Sequence, residues 1–151
     1  MASISVTTNL QQVNAVIADR LKKLSDPETI LRPLCFDIIE LMTKRIHVDG
    51  MAANGQQIGT YNNRYLKLRQ TKYNRKADSK IIVSLTRQLE NNWSVIATPK
   101  GFGVGFLNPF NFQKARWVEA QKGKEIFSLT AAERDYAIGF VNDKTAETLN
   151  G

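Results

Sequence analysis

Residues 93–106 constrain this chain more than any other stretch. Trp93-Ser94-Val95-Ile96-Ala97-Thr98 reads as a strand, Pro99-Lys100-Gly101 as a turn, and Phe102-Gly103-Val104-Gly105-Phe106 as the returning strand. Apolar residues at helical spacing stand on both sides of this hairpin. The fold class expected is therefore α+β: an N-terminal helical hairpin packed with a small antiparallel β-sheet, a long basic loop and a C-terminal helix. Phe102, Val104 and Phe106 share one face of the returning strand. Gly101, Gly103 and Gly105 share the other, a bare face open to subunit packing or to a helix. The alternation argues against a nucleotide loop, because 101–106 has neither the Gly-Lys-Ser/Thr ending of a phosphate loop nor the glycine spacing of a dinucleotide fingerprint.

Ahead of the hairpin, residues 1–8 are polar and read as a flexible arm. Thr8-Asn9-Leu10-Gln11 has the spacing of a capping box, and Leu10, Val13, Val16, Ile17, Leu21 and Leu24 follow as one helical stripe. Asp26-Pro27 ends that helix and starts the next, with an N-cap acceptor followed by a proline suited to the first turn. Its expected buried stripe is Ile30, Leu31, Leu34, Ile38, Leu41, Met42 and Ile46, and the turn signal Val48-Asp49-Gly50 closes it. Pro33 implies either a kink or regular helix only from Ile30 onwards. A short helix capped by Asp78 or Ser79 is expected to bury Ile81, Ile82, Leu85 and Leu89 and to end at Asn91-Asn92. Ala115 to Ala120 fits a third strand or a short helix equally well. Thr130-Ala131-Ala132-Glu133 is a second capping box, opening a last helix through Tyr136, Ala137, Phe140 and Val141, which Gly139 weakens by about 1 kcal/mol relative to alanine.

Residues 51–80 read as a long polar loop or extended arm. From Arg64 to Lys80 stand seven basic residues, Arg64, Lys67, Arg69, Lys72, Arg75, Lys76 and Lys80, against one acid, Asp78, with Tyr61, Tyr65 and Tyr73 interleaved. A loop of this length inside a compact domain is usually functional or disordered. Three readings fit it. Tyrosine and arginine are enriched at protein interfaces, which makes it a docking arm. Lysine and arginine on phosphates with tyrosines stacked on bases would make it a nucleic-acid contact. It also fits a solvated loop with no partner.

Composition narrows the function. The 151 residues are one domain's worth, and with 42% of them hydrophobic no disulfide or metal is needed to hold a core. The one cysteine, Cys35, lies in the apolar run Leu34-Cys35-Phe36 and reads as a small core residue. A net charge of +7 suggests a polyanionic partner or a charged assembly surface. No run approaches the length of a membrane helix, and no signal peptide is visible at the first residues. His47 is the single histidine, no Cys/His spacing suits zinc, and the carboxylates are scattered, so neither an enzyme nor a cofactor is expected. His47 beside Asp49 reads as a helix-end histidine that meets the dipole when protonated, rather than an acid/base pair. Asn92-Trp93-Ser94 matches a glycosylation acceptor without a secretory context.

The order of these landmarks resembles the tail-completion, or virion morphogenesis, proteins of tailed bacteriophages, small neck or tail-end proteins that help join heads to tails. Asp26-Pro27 with Leu31-Arg32 resembles the start of that family's long second helix, ending here in Lys44-Arg45-Ile46. Ile58-Gly59-Thr60-Tyr61 with Tyr65, Lys67 and Arg69 resembles its polar, basic loop. Residues 82–89 with Asn92 resemble its leucine-threonine-glycine-x-leucine helix, and Phe127-Ser128-Leu129-Thr130 with Glu133-Arg134 its last helix start. The likeness spans most of residues 10–148. Arg87 stands where the family usually has glycine, and Lys124-Glu125-Ile126 replaces a proline-alanine-arginine segment.

What the resemblance implies is a structural virion protein of the neck or tail end, assembled in the host cytoplasm. Its partners would be other neck and tail proteins, within a homo-oligomeric ring and with a contact to DNA in the neck channel, away from any membrane. The mechanism expected is that 51–80 extends from a rigid body and orders on an adjoining ring protein, many weak arms adding by effective concentration.

Overall fold

A helix opened by Asp26 and Pro27 organises the molecule. The structure, a computed structural model, describes residues 16–20, 22–23, 26–76, 78–99 and 101–150. Helix α1 runs from Pro27 to Thr43, capped by the Asp26 side chain, which accepts from the amide of Glu28 at 3.0 Å. Pro33 lies inside it, exposed, and helix is already regular from Pro27, not only from Ile30 onwards. The buried series is Ile30, Leu34, Ile38, Met42 and Ile46, every fourth residue, joined by Cys35. Leu41, expected in that stripe, is exposed, because Met42 holds the inward position and its neighbour points about 100° away.

A stripe at four-residue intervals drifts about 40° per step on an α-helix. The last turn corrects this. Lys44–Val48 is a π-helical turn in which the Asp49 amide donates to Lys44 O at 2.9 Å. Its smaller advance per residue brings Ile46 back into line and turns His47 inward beside it.

The 51–80 segment is not an extended arm. The Ile58 amide donates to Gly50 O at 2.9 Å, Tyr61 N to Ser79 O at 2.7 Å and Ile81 N to Gly59 O at 2.9 Å, so both ends of the segment are sewn to the body. Between them helix α2, Asn63–Tyr73, is capped by Asn62, which accepts from Tyr65 N at 2.8 Å, and closed by Asn74 in the left-handed region. The 81–89 helix is absent. Ile81-Ile82-Val83 is β-branched, Val83 and Arg87 have φ of +43° and +61°, and the chain here is irregular up to a 3-10 turn at Glu90–Asn92. Its carbonyls serve other partners: Arg69 donates to Ser84 O, Arg75 to Leu85 O and His47 Nδ1 to Val83 O.

Strands β1, Trp93–Thr98, and β2, Gly101–Phe106, form the expected antiparallel hairpin, with Trp93 opposite Phe106 and Thr98 opposite Gly101. Helix α3, Pro109–Lys122, settles the ambiguous 115–120 stretch as helix; Asn108 caps it and Gly123 at φ +62° ends it. Helix α4, Ala131–Asn150, has the reciprocal capping box: Glu133 N donates to Thr130 Oγ1 at 3.1 Å and Thr130 N to Glu133 Oε2 at 2.9 Å. The fold is α+β.

Helix α1 packs against both strands and α4, and α3 packs on β2. The main core joins the α1 stripe to Ala52, Ile58, Ile81 and Ile126; a second cluster of Leu89, Phe106 and Ala115 meets it through Val83, Trp93 and Phe127. The Thr8–Gln11 box and Leu10, Val13, Leu21 and Leu24 lie outside the described residues, as do residues 1–8. Residues 16–20 and 22–23 are helical, as their spacing predicts, and Val16 and Ile17 are exposed there.

Arg87 tests the irregular segment. A left-handed φ costs a residue with a Cβ about 1–2 kcal/mol, partly offset by the greater freedom glycine loses on folding. Its ion pair with Glu90, at 3.8 Å, lies on the surface and contributes little. Arg87→Gly is expected to raise stability by about 0.5–1 kcal/mol, read as a higher urea midpoint with an unchanged slope.

Candidate docking surface

The folded α2 divides the basic segment into two groups. Arg69 is buried, only 2% exposed. Its Nη2 donates to Ser84 O at 2.7 Å and its Nη1 to the Tyr61 hydroxyl at 3.2 Å, and its guanidinium lies 4.5 Å from the Tyr61 ring centroid. Tyr61 also receives the Ile82 amide, and burial pushes its phenol pKa up. Tyr65 lies against it, with ring centroids 5.1 Å apart. Arg75 donates both Nε and Nη2 to Leu85 O. Lys80 is half-buried with Asp78 3.7 Å away, and its backbone bridges to Thr60. These residues hold the 79–85 segment against α2. Arg64, Lys67, Lys72 and Lys76 are exposed, Lys72 lying 5.6 Å from the half-buried Tyr73 ring.

Arg69 also lines a cavity of about 870 Å³ between α2, the 81–89 segment and α3. Its α3 wall carries Lys114, Trp117 and Lys122. Phe110, Lys114, Trp117 and Gln121 are spaced as one helical stripe. The Phe110 and Trp117 rings meet edge to face at 6.4 Å, and Lys114 stands over Phe110 at 4.8 Å while bonded to Gln88. Phe110 and Trp117 are 59% and 56% exposed, with Leu107 more so. None of these α3 residues was expected from the sequence. The usable signals were Asn108-Pro109 opening a helix, Lys122-Gly123 closing it, and aromatics seven residues apart.

The glycines split as well. A Cβ at Gly101, where φ is +131°, would meet Leu31 of α1 at 3.3 Å, and one at Gly105 would meet the Ile96 side chain at 3.0 Å. The close approach at Gly101 is therefore made by a helix of the same chain. At Gly103 such an atom would meet only Ile96 O, at 4.0 Å.

His47 belongs to the core. Its Nε2 accepts from Trp93 Nε1 at 3.1 Å, which leaves the proton on Nδ1, donating to Val83 O at 3.2 Å. Burial holds its pKa below the ordinary value, against an opposing pull from Glu90. It stands in the helix's last turn as expected, but as a neutral histidine with both nitrogens engaged instead of a protonated one meeting the dipole. The unfolded chain binds this proton near pH ~6.5 and the folded one only at lower pH. Its contribution is present above pH ~6.5 and lost as pH falls through the folded value. The urea midpoint is expected to drop between about pH 7 and pH 5, and this drop to disappear in His47→Gln.

Among the described residues no group of three or more His, Cys, Asp or Glu side chains is placed to hold a metal ion, and no helix is long and apolar enough to cross a membrane. The arrangement is suited to gripping a partner through an aromatic stripe and a cationic cavity. Comparison with protein-family models, curated proteins and solved structures returned no match.

Proposed function

We propose that this chain is a structural assembly protein that acts by docking to other proteins, in the neck or tail end of a tailed bacteriophage. The observation that carries the docking reading is the uncovered aromatic stripe of α3. Large apolar side chains grouped on a surface mark interaction sites, and aromatic residues beside cations are the composition of interface centres. The resemblance in residues 10–148 supplies the phage context. In this reading the chain sits in a ring with copies of itself, beside other neck or tail proteins. Many modest contacts then add through effective concentration. Because the 51–80 segment is folded onto the body, docking uses a rigid surface and needs no ordering of an arm.

A nucleic-acid-binding module is the second reading, and the exposed Arg64, Lys67, Lys72 and Lys76 favour it. It requires DNA affinity that falls log-linearly with salt and is abolished by neutralising these four. The docking reading is tested by electron microscopy of particles made when the gene is disrupted in its phage. Full heads beside separate tails are expected; normal joined virions would contradict it.

A further inference from the structure

The cavity beside α2 carries positive charge that the described residues leave largely uncompensated. Arg69 forms no ion pair with any carboxylate among the described residues. Its buried Nε has no hydrogen-bond partner, although both terminal nitrogens are engaged. A buried guanidinium is ordinarily held by an acid, since an unpaired buried charge is costly. The rim adds Lys114 and Lys122, beside Arg87 with Glu90 3.8 Å away, and among the described residues no Asp or Glu lines the cavity. Between the charges the walls are aromatic and aliphatic, including Tyr65, Trp117 and Leu85.

We infer that this cavity seats an acidic peptide segment carrying an aromatic residue, supplied by a partner protein. The inference rests on the docking reading and names the partner's chemistry. Carboxylates of the segment meet Lys114, Lys122 and the positive field of Arg69, and its ring lies against Trp117 and Tyr65. A nucleic-acid strand fits less well, because it needs cations in a row along its backbone. Arg64 and Lys67 stand about 140° and about 160° around α2 from Arg69, so they face away from the cavity and do not extend its charge into a track.

The probe is a fluorescein-labelled, acetylated peptide of alternating aspartate and phenylalanine, titrated at low salt and followed by anisotropy. Its dissociation constant is expected on the order of tens of micromolar. The pair Lys114→Glu and Lys122→Glu, both on the surface of α3, should weaken it at least about tenfold, and Arg64→Glu with Lys67→Glu less than about twofold. Arg69→Met should also abolish binding; should that variant fail to fold, the α3 pair decides alone. No binding, or equal weakening by the two pairs, overturns the inference. So does an oligothymidylate that binds more tightly than the peptide and is released by the Arg64 and Lys67 changes. If the peptide fails to bind while gene-disrupted particles stay unjoined, docking stands and this cavity is not its seat.

Discussion

Glu133→Ala is expected to lower the free energy of unfolding by about 3–5 kcal/mol, the range for stripping one partner from a buried ion pair. Arg45 Nε lies 2.6 Å from Glu133 Oε1, and both side chains are nearly shielded from solvent. The same guanidinium donates to Met51 O, Ile126 O and Ser128 O at 3.1, 3.0 and 2.9 Å. One arginine thus fastens the end of α1 to the loop after it, to the segment before α4, and to α4 itself. Glu133 also closes the capping box on Thr130 N. Alanine leaves a buried guanidinium short of its carboxylate and removes a helix cap together. Arg45→Met should cost a similar amount by leaving the carboxylate alone. The double variant Arg45→Met/Glu133→Met should lose clearly less than the singles combined, because no unpaired charge remains. Urea unfolding followed by circular dichroism checks all three, and additive losses would contradict this account of the pair.

Gly50→Ala is the second large effect, about 2–4 kcal/mol. Gly50 has φ +68°, and a Cβ there would stand 2.4 Å from Ile81 O and 3.3 Å from Ile81 C. The obstacle is backbone, in a segment already tied to Gly59 through the Ile81 amide, so the chain has to separate. Gly123→Ala is the matched control. Its φ is +62° but nothing lies within 4 Å of the added atom, so only the left-handed cost of about 1–2 kcal/mol applies. A loss at Gly50 no larger than at Gly123 would mean the contact with Ile81 relaxes freely.

Local signals were legible in the sequence. Asp26-Pro27, the Thr130–Glu133 box and the 93–106 hairpin each carry their instruction within a few residues, and each folds as read. Helix α2 was hidden because its buried side is made by Tyr65, Arg69 and Tyr73 with a single aliphatic residue, Leu66, so no apolar stripe announced it. The 81–89 stretch has helical spacing of apolar residues, yet its carbonyls are taken by Arg69, Arg75 and His47 from elsewhere in the chain. Arg45 and Glu133 lie 88 residues apart. For the candidate surface, three residues of the basic tyrosine segment, Tyr61, Tyr65 and Arg69, line the cavity. Of the segment's other cations, Arg75 is taken by an internal carbonyl, Lys80 lies beside Asp78, Arg64 and Lys67 stand on the far side of α2, and Lys72 and Lys76 are exposed. The α3 half of the surface depended on resolving whether residues 115–120 were strand or helix, which local composition leaves open.

The central claim is that the aromatic stripe of α3 is a docking surface. Its most direct test is complementation of the gene-disrupted phage with Phe110→Glu/Trp117→Glu, two exposed positions whose replacement leaves the core untouched. The variant should fold with an unaltered urea midpoint, yet yield heads and tails that remain unjoined under the electron microscope. Fully joined, infective virions from that variant would contradict the account.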